Sequence, residues 1–312
     1  MSGNRRIVLL IVTLAVLLAS WQSRHSIIAA VRRLLLPTVD PPPPGTIRFA
    51  VIGDYGSGTA MERDVAQLIE SWSPGFVATV GDNDYEEGAT GGIDEAVGQF
   101  YHGFIAPYHG KYGRGAAENR FFPIPGHRDW DHSVLRPYLE YFTLPGNERY
   151  YDLVRGPVHL FMLDTDEREP DGATAGSIQA QWLEQQLARS TSRWNLVFAH
   201  HAPYTSHRVE DIARMRWPFK AWGADAVLSG FYHVYERLMV DSLPYFIDGV
   251  GGSSVSGFGQ IDSHSRFRYA ADYGALLVDA TDARITFRFV TRSGRIVDEY
   301  SLVKASPKNK SR

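Results

Sequence analysis

The chain has 312 residues, 44% of them hydrophobic and 21% charged, enough material for one large globular domain or two small ones. Its net charge of −3 leaves no electrostatic footprint for nucleic acid. Cysteine is absent, which excludes disulfides, thiolate metal sites, a cysteine nucleophile and an acylated cysteine, but does not fix the compartment.

At the N-terminus Arg5-Arg6 precede an apolar run from Ile7 to Ala19, the pattern of an export signal. No small-x-small cleavage site follows, because Trp21, Gln22 and Arg24 come next. The run is short for a full membrane span, yet Trp21 suits the interface, and Ile27 to Leu36 with Arg32-Arg33 suits a membrane surface. An uncleaved anchor over 1–36 is therefore expected, with the rest of the chain exported, either periplasmic or tethered to the inner membrane and facing outward. Pro41 to Pro44 make a stiff spacer within a linker over 37–45. One domain is expected over 46–303, since no internal repeat divides it, and the basic tail 304–312 reads as a solvated end.

Ile47 to Ile52 and Phe76 to Val80 read as buried strands, and each is followed at once by a glycine and an aspartate: Gly53-Asp54-Tyr55-Gly56, then Gly81-Asp82-Asn83-Asp84-Tyr85. Met61, Val65, Leu68 and Ile69 keep helical spacing between them. Carboxylates at the carboxyl ends of successive strands aim oxygen ligands into one crevice, where a hard metal ion would sit. Further strands are expected at Phe121 to Ile124, Val158 to Leu163, Leu196 to Ala199, Ala226 to Leu228, Tyr245 to Ile247, Ala275 to Val278 and Ile285 to Val290. A second helix is expected around Ile178, Trp182, Leu183 and Leu187. Three of these strands lead into Gly126-His127-Arg128-Asp129, His200-His201-Ala202-Pro203 and Gly230-Phe231-Tyr232-His233. The whole is an α/β fold, a β-sandwich of two sheets flanked by helices. Asp164, Asp166 and Asp171 fall in a turn-rich loop, where solvated surface carboxylates are the expectation and a substrate contact stays open.

This order of motifs resembles the calcineurin-like metallophosphoesterases, and the tyrosine at position 85 resembles their purple acid phosphatase branch. The resemblance runs from Thr46 to about Val303. It implies the four-layer α/β/β/α sandwich and two metal ions, drawn from iron, zinc or manganese, that share Asp82 as a bridge. The first ion would take Asp54, Asp82, Tyr85 and His233. The second keeps Asp82 and His201, with His127 standing where the family has an asparagine. Two positions depart from the family: Arg128 replaces its catalytic histidine, and Phe231 replaces a ligand imidazole. Arginine supplies no proton at ordinary pH but grips phosphate as a bidentate fork. General acid help, typically worth roughly 10²–10⁴-fold, would be reduced for poor leaving groups.

Blander roles exist for each residue. Asp54 and Asp82 alone would suit helix caps or turns, His127 reads equally as a ligand or as a partner of turn backbone, and His200 reads as a core residue behind the site. The implied activity is an exported metal-dependent phosphoester hydrolase, in which metal-bound hydroxide attacks phosphorus while Arg128 and the metals neutralise charge. Its alternative is a non-catalytic descendant that keeps the fold and binds a phosphorylated or anionic ligand. The substrate is a phosphoester of unassigned identity, and oligomeric state is not readable.

Overall fold

Side chains alternate across a strand, so a strand covered on both sides must be apolar at every position. β1 (Ile47–Ile52) and β2 (Phe76–Thr79) come close to this, with all but Ile47 buried; the exceptions are Thr79 and Arg48, whose guanidinium is paired with Asp279 at 2.7 Å. The computed structural model describes residues 39–85, 92–207 and 212–305. The expected anchor at the N-terminus and nearly all of the expected basic tail lie outside them.

β1, β2 and β3 (Phe121–Phe122) run parallel, with Phe49 opposite Phe76 and Val77 opposite Phe121. The other edge of that sheet is an antiparallel meander of β11 (Gly274–Ala280), β12 (Arg284–Thr291) and β13 (Ile296–Val303), giving the order β13-β12-β11-β1-β2-β3. The second sheet contains β4 (Tyr151–Arg155), β5 (Val158–Met162), β6 (Trp194–Ala199), β7 (Ala226–Ser229), β8 (Tyr235–Val240), β9 (Leu243–Asp248) and β10 (Ser265–Tyr269). Its order is β10-β8-β9-β7-β6-β5-β4, with β5, β6, β7 and β9 parallel.

The period of two sorts the second sheet's side chains into separate cores. Leu160, Met162, Leu196, Phe198 and Phe246 join Phe49, Leu277 and Phe287 of the first sheet in the inter-sheet core. Their neighbours Phe161, Leu163, Val197 and Ala199 instead pack under Ala180, Leu183 and Leu187. Those three belong to α2 (Ile178–Arg189), whose start is capped by Ser177 accepting from the Ala180 amide. On the far side, α1 (Ala60–Ser71), capped by Thr59, buries Val65, Leu68 and Ile69 and contacts β11. Helix, sheet, sheet and helix therefore stack as the expected sandwich. Phe246 and Phe287 stack across the inter-sheet core at 4.6 Å. Asp298 of β13 also reaches the second sheet, accepting from Tyr235 Oη at 2.8 Å and from Arg237 Nε and Nη2 at 2.8 and 2.9 Å.

All seven strands expected beyond β2 are present, as are both helices. Four further strands, β4, β8, β10 and β13, were not expected. Three of them are sheet edges, and β10 (Ser-Arg-Phe-Arg-Tyr) alternates arginine with aromatics because one face meets water.

Candidate metal centre

The loops leaving the carboxyl ends of β1, β2, β3, β5, β6 and β7 meet in one crevice. Asp54 follows β1 and is fully buried, held by its amide on the Gly81 carbonyl (3.0 Å) and by the Phe231 amide on its Oδ2 (2.9 Å). Asp82 follows β2, and its Oδ1 accepts the Arg128 amide at 2.8 Å. The β2 and β3 loops touch backbone to backbone: a Cβ on Gly126 would lie 2.0 Å from the Asp82 amide nitrogen, so nothing larger than glycine fits.

Asp54, Asp82 and Phe231 have φ of 52°, 56° and 69°, left-handed values that cost non-glycine residues on the order of 1–3 kcal/mol each. Such strain persists where the surroundings impose it, and here all three residues border one cluster. Its centre is the Tyr85 hydroxyl, 2.7 Å from Asp82 Oδ2, 3.1 Å from Asp54 Oδ1 and 3.1 Å from His233 Nε2. Asp54 Oδ1 and His233 Nε2 are themselves 3.3 Å apart, and Ser254 Oγ contacts the other ring nitrogen of His233. The phenol and the imidazole thus face the two carboxylates together, with His233 Nε2 able to donate or accept. Two carboxylates, a phenol and an imidazole converging in this way make a donor set that a cation fits. All four residues expected to hold the first ion are therefore gathered.

Electrostatics follow from that crowding. Burial raises the Tyr85 hydroxyl well above its usual range, and the Asp54 and Asp82 charges push it further up. Burial opposes protonation of His233, but its hydrogen bond to Asp54 and the charges of Asp54 and Asp82 outweigh this and raise it. Asp82 is pushed up by burial, yet the His200 charge, the Arg128 amide and the Tyr85 hydroxyl hold it well below the carboxylate range. His200 is fully buried behind Asp82, as a core residue would be. Its Nδ1 donates to the Val80 carbonyl at 2.7 Å, while its Nε2 lies 3.2 Å from Asp82 Oδ1, an ion-pair separation without the angle of a hydrogen bond. The net effect of Asp82 and Asp54 is to raise His200 against the opposing effect of burial.

A second cluster joins His127, Asp166 and His201, whose ligand atoms lie within 4.8 Å of one another. His127 and His201, both expected at the second ion, are thus brought together, and Asp166, which was not among the expected ligands, stands with them. The surface reading of the loop 164–172 is corrected: Asp164 and Asp166 are buried. Trp130 Nε1 donates to Asp164 Oδ2 at 2.9 Å, Arg168 Nε to Asp166 Oδ1 at 2.6 Å, and Arg149 holds Glu169 and Asp171, so side-chain donors draw the loop inward. A signal for Asp166 existed in its position just after a buried strand, where every other candidate ligand stands.

Arg128 is exposed at the rim, its guanidinium 5.7 Å from the Tyr85 ring centre. The Phe231 ring sits 4.7 Å from that of His201 and 6.4 Å from that of His127. Asp129 was not expected to matter. Buried, its carboxylate accepts from the Gly126 amide at 2.7 Å and from Asn83, shaping the turn that carries His127. Burial, reinforced by the Asp82 charge, pushes it up to about 7.

The calcineurin-like phosphoesterase family model matches residues 22–235. Purple acid phosphatase 7 of Arabidopsis thaliana is 22% identical over 295 residues, covering 84% of this chain and 88% of that protein. An acid phosphatase of Aspergillus ficuum is 29% identical over 179 residues, 47% of this chain but only 27% of that enzyme. Among solved structures, GAP50, the anchor in the inner membrane complex of Plasmodium, superposes with a TM-score of 0.65 at 19% identity, covering 84% of this chain and 90% of that one. The purple acid phosphatase PPD1 of yellow lupin gives 0.63 at 18% identity, covering 84% of this chain and 55% of that one. Both likenesses are of fold.

Proposed function

Because the chain belongs to the calcineurin-like phosphoesterase family, on its purple acid phosphatase-like branch, we propose that it is an exported, metal-dependent phosphoester hydrolase. The observation that carries this reading is the convergence of Asp54, Asp82 and His233 on the Tyr85 hydroxyl at 2.7 to 3.1 Å, two carboxylates, a phenol and an imidazole at one point. Asp54, Asp82, Tyr85 and His233 would hold an ion that, when bound, supplies Lewis acidity toward a phosphoryl oxygen and activation of a water nucleophile.

The chain's own residues do the rest. Arg128 stands at the open edge of the crevice and grips the phosphoryl oxygens as a fork, stabilising charge as it develops. It has no proton to release, so a leaving group departs unassisted by this position. Phe231 fills space beside His201 and carries its backbone amide to Asp54, which fixes that carboxylate. Buried His200 backs Asp82 at 3.2 Å and is itself raised by that carboxylate. Substrates whose leaving group is already a stable anion are therefore preferred.

The export of the domain rests on the N-terminal signal pattern, and its limits at 46–303 are supported by β1 starting at Ile47 and β13 ending at Val303. Among the described residues no helix is long and apolar enough to cross a membrane.

Metal analysis of the purified full-length protein, with turnover of an aryl and an alkyl phosphate compared, tests the reading. Bound metal and aryl hydrolysis far exceeding alkyl hydrolysis are expected. Arg128 and Phe231 favour one other reading, a phosphate-binding module without turnover. Metal and phosphate binding with no hydrolysis of either ester would select it.

A further inference from the structure

We propose that the Arg168 guanidinium stands as a built-in cation where His127, Asp166 and His201 meet, so that the crevice takes a single metal ion, at Asp54, Asp82, Tyr85 and His233. The proposal rests on the metal-dependent reading above and deepens it: the second ion that the family implies gives way to a side chain of this protein.

Arg168 fills the second cluster through several contacts at once. Its Nε donates to Asp166 Oδ1 at 2.6 Å and its Nη2 to Asp166 Oδ2 at 2.9 Å, so one fork takes both carboxylate oxygens. The Arg168 amide adds a third bond to Oδ1, at 3.0 Å. The same Nη2 donates to the His127 carbonyl at 3.1 Å and lies 3.4 Å from His127 Nδ1, while Nη1 donates to the Trp130 carbonyl. The guanidinium also lies 5.8 Å from the centre of the Trp130 ring. It is thereby fixed between the β3 loop, which carries His127 and Trp130, and the β5 loop, which carries Asp166.

A second ion does not fit this arrangement. Nη2 lies within 3.4 Å of both Asp166 Oδ2 and His127 Nδ1, the place that an ion joining these two groups would take. A divalent cation there would face a guanidinium that stays charged at any ordinary pH. Phe231 works in the same direction, because its ring, 4.7 Å from that of His201, offers no lone pair where the family places an imidazole. A plain ion pair with buried Asp166 would need only the fork. The bonds to the His127 and Trp130 carbonyls go beyond it and join loops from the two sheets, as a shared ion would. A guanidinium brings positive charge and directed donors, but neither Lewis acidity nor a bound water. Metal chemistry therefore falls to the first ion alone.

The test is zinc titration of metal-depleted full-length protein to saturation, with bound ions counted per chain. An ion is assigned to the second position when His127→Ala, which removes a half-exposed ring, abolishes it. Wild type is expected to take one ion, lost in Asp54→Asn and kept in His127→Ala. Arg168→Gln, which keeps a hydrogen-bonding head but removes the charge, should take two, the added ion being lost again when His127→Ala is combined with it. Thermal melts establish that each variant is folded. A His127-dependent ion in wild type would overturn the proposal whether or not Arg168→Gln folds. So would a folded Arg168→Gln that gains no ion, or a Phe231→His variant that gains a His127-dependent ion with Arg168 still in place. A wild type that binds no ion would end the metal-dependent reading, whereas an ion gained in Arg168→Gln would still uphold the place of Arg168.

Discussion

Replacing Tyr85 with phenylalanine deletes one oxygen from the centre of the first cluster and leaves the ring where it packs, edge-on to His233 at 6.0 Å and beneath Arg128 at 5.7 Å. The 2.7 Å bond to Asp82 is to a charged acceptor, worth about 1.5–3 kcal/mol, and the two 3.1 Å contacts are longer and add little. Metal-free Tyr85→Phe should therefore be less stable by about 2 kcal/mol, lowering Tm by roughly 4–8 °C for a domain of this size. The loaded protein gives the sharper result. Burial and two carboxylates keep the phenol protonated in the free protein, so a phenolate at neutral pH requires a cation to reverse that shift. Iron(III) titrated into wild type should raise a tyrosinate charge-transfer band in the visible together with an increase in Tm, and in Tyr85→Phe the band should vanish and the increase shrink. An unchanged band in Tyr85→Phe, or iron-loaded wild type that is colourless, would remove Tyr85 from the ligands.

His233 is raised by its carboxylate neighbours and must be neutral to bind an ion. First-site affinity, measured by titration in buffers of graded pH, should therefore fall as pH is lowered, by up to about tenfold per pH unit, the loss setting in above the ordinary histidine range near 6.5; flat affinity between pH 8 and 6 would exclude His233 as a ligand. Arg128→Ala should weaken inhibition by inorganic phosphate about tenfold or more without raising turnover. Arg128→His with Phe231→His should raise hydrolysis most for alkyl phosphates, which need a proton donor; equal gains on aryl and alkyl esters would sink the acid argument. Asp298→Ala strips the acceptor from Tyr235 and Arg237 and should cost about 3 kcal/mol, read as a Tm lower by roughly 6–12 °C, and a change under 2 °C would contradict the described geometry. Cell fractionation should find the full-length chain in the membrane fraction with its domain open to external protease; a soluble cytoplasmic chain would end the export reading.

The first cluster was legible because its chemistry is local in sequence. Asp54, Asp82 and His233 each follow a strand within a few residues, so a run of buried apolar residues announces where each carboxylate or imidazole must emerge. Tyr85 rides on the same loop as Asp82. The burial of Asp166 was the less legible part, because a short stretch with Asp164, Asp166 and Asp171 has the composition of a solvated turn. Its burial depends on Trp130, Arg149 and Arg168, whose approach is set by tertiary packing alone. The same limit hid β10 and β13. At a sheet edge one face is wet, and alternating arginines or acids conceal the strand that the inner face still forms.

Neither cluster belongs to one sheet. Asp54, Asp82 and His127 hang from the first, whereas Asp166, His201 and His233 hang from the second, so any ion held in the crevice is a rivet through both layers. The spacing between chemical groups is then a property of how the sheets seat on each other, fixed far away by contacts such as Phe246 on Phe287. A substitution deep in that seam could detune the crevice while leaving every ligand intact. Conversely, loading the crevice would clamp the layers against sliding, making bound metal a mechanical component of the sandwich as well as a chemical one.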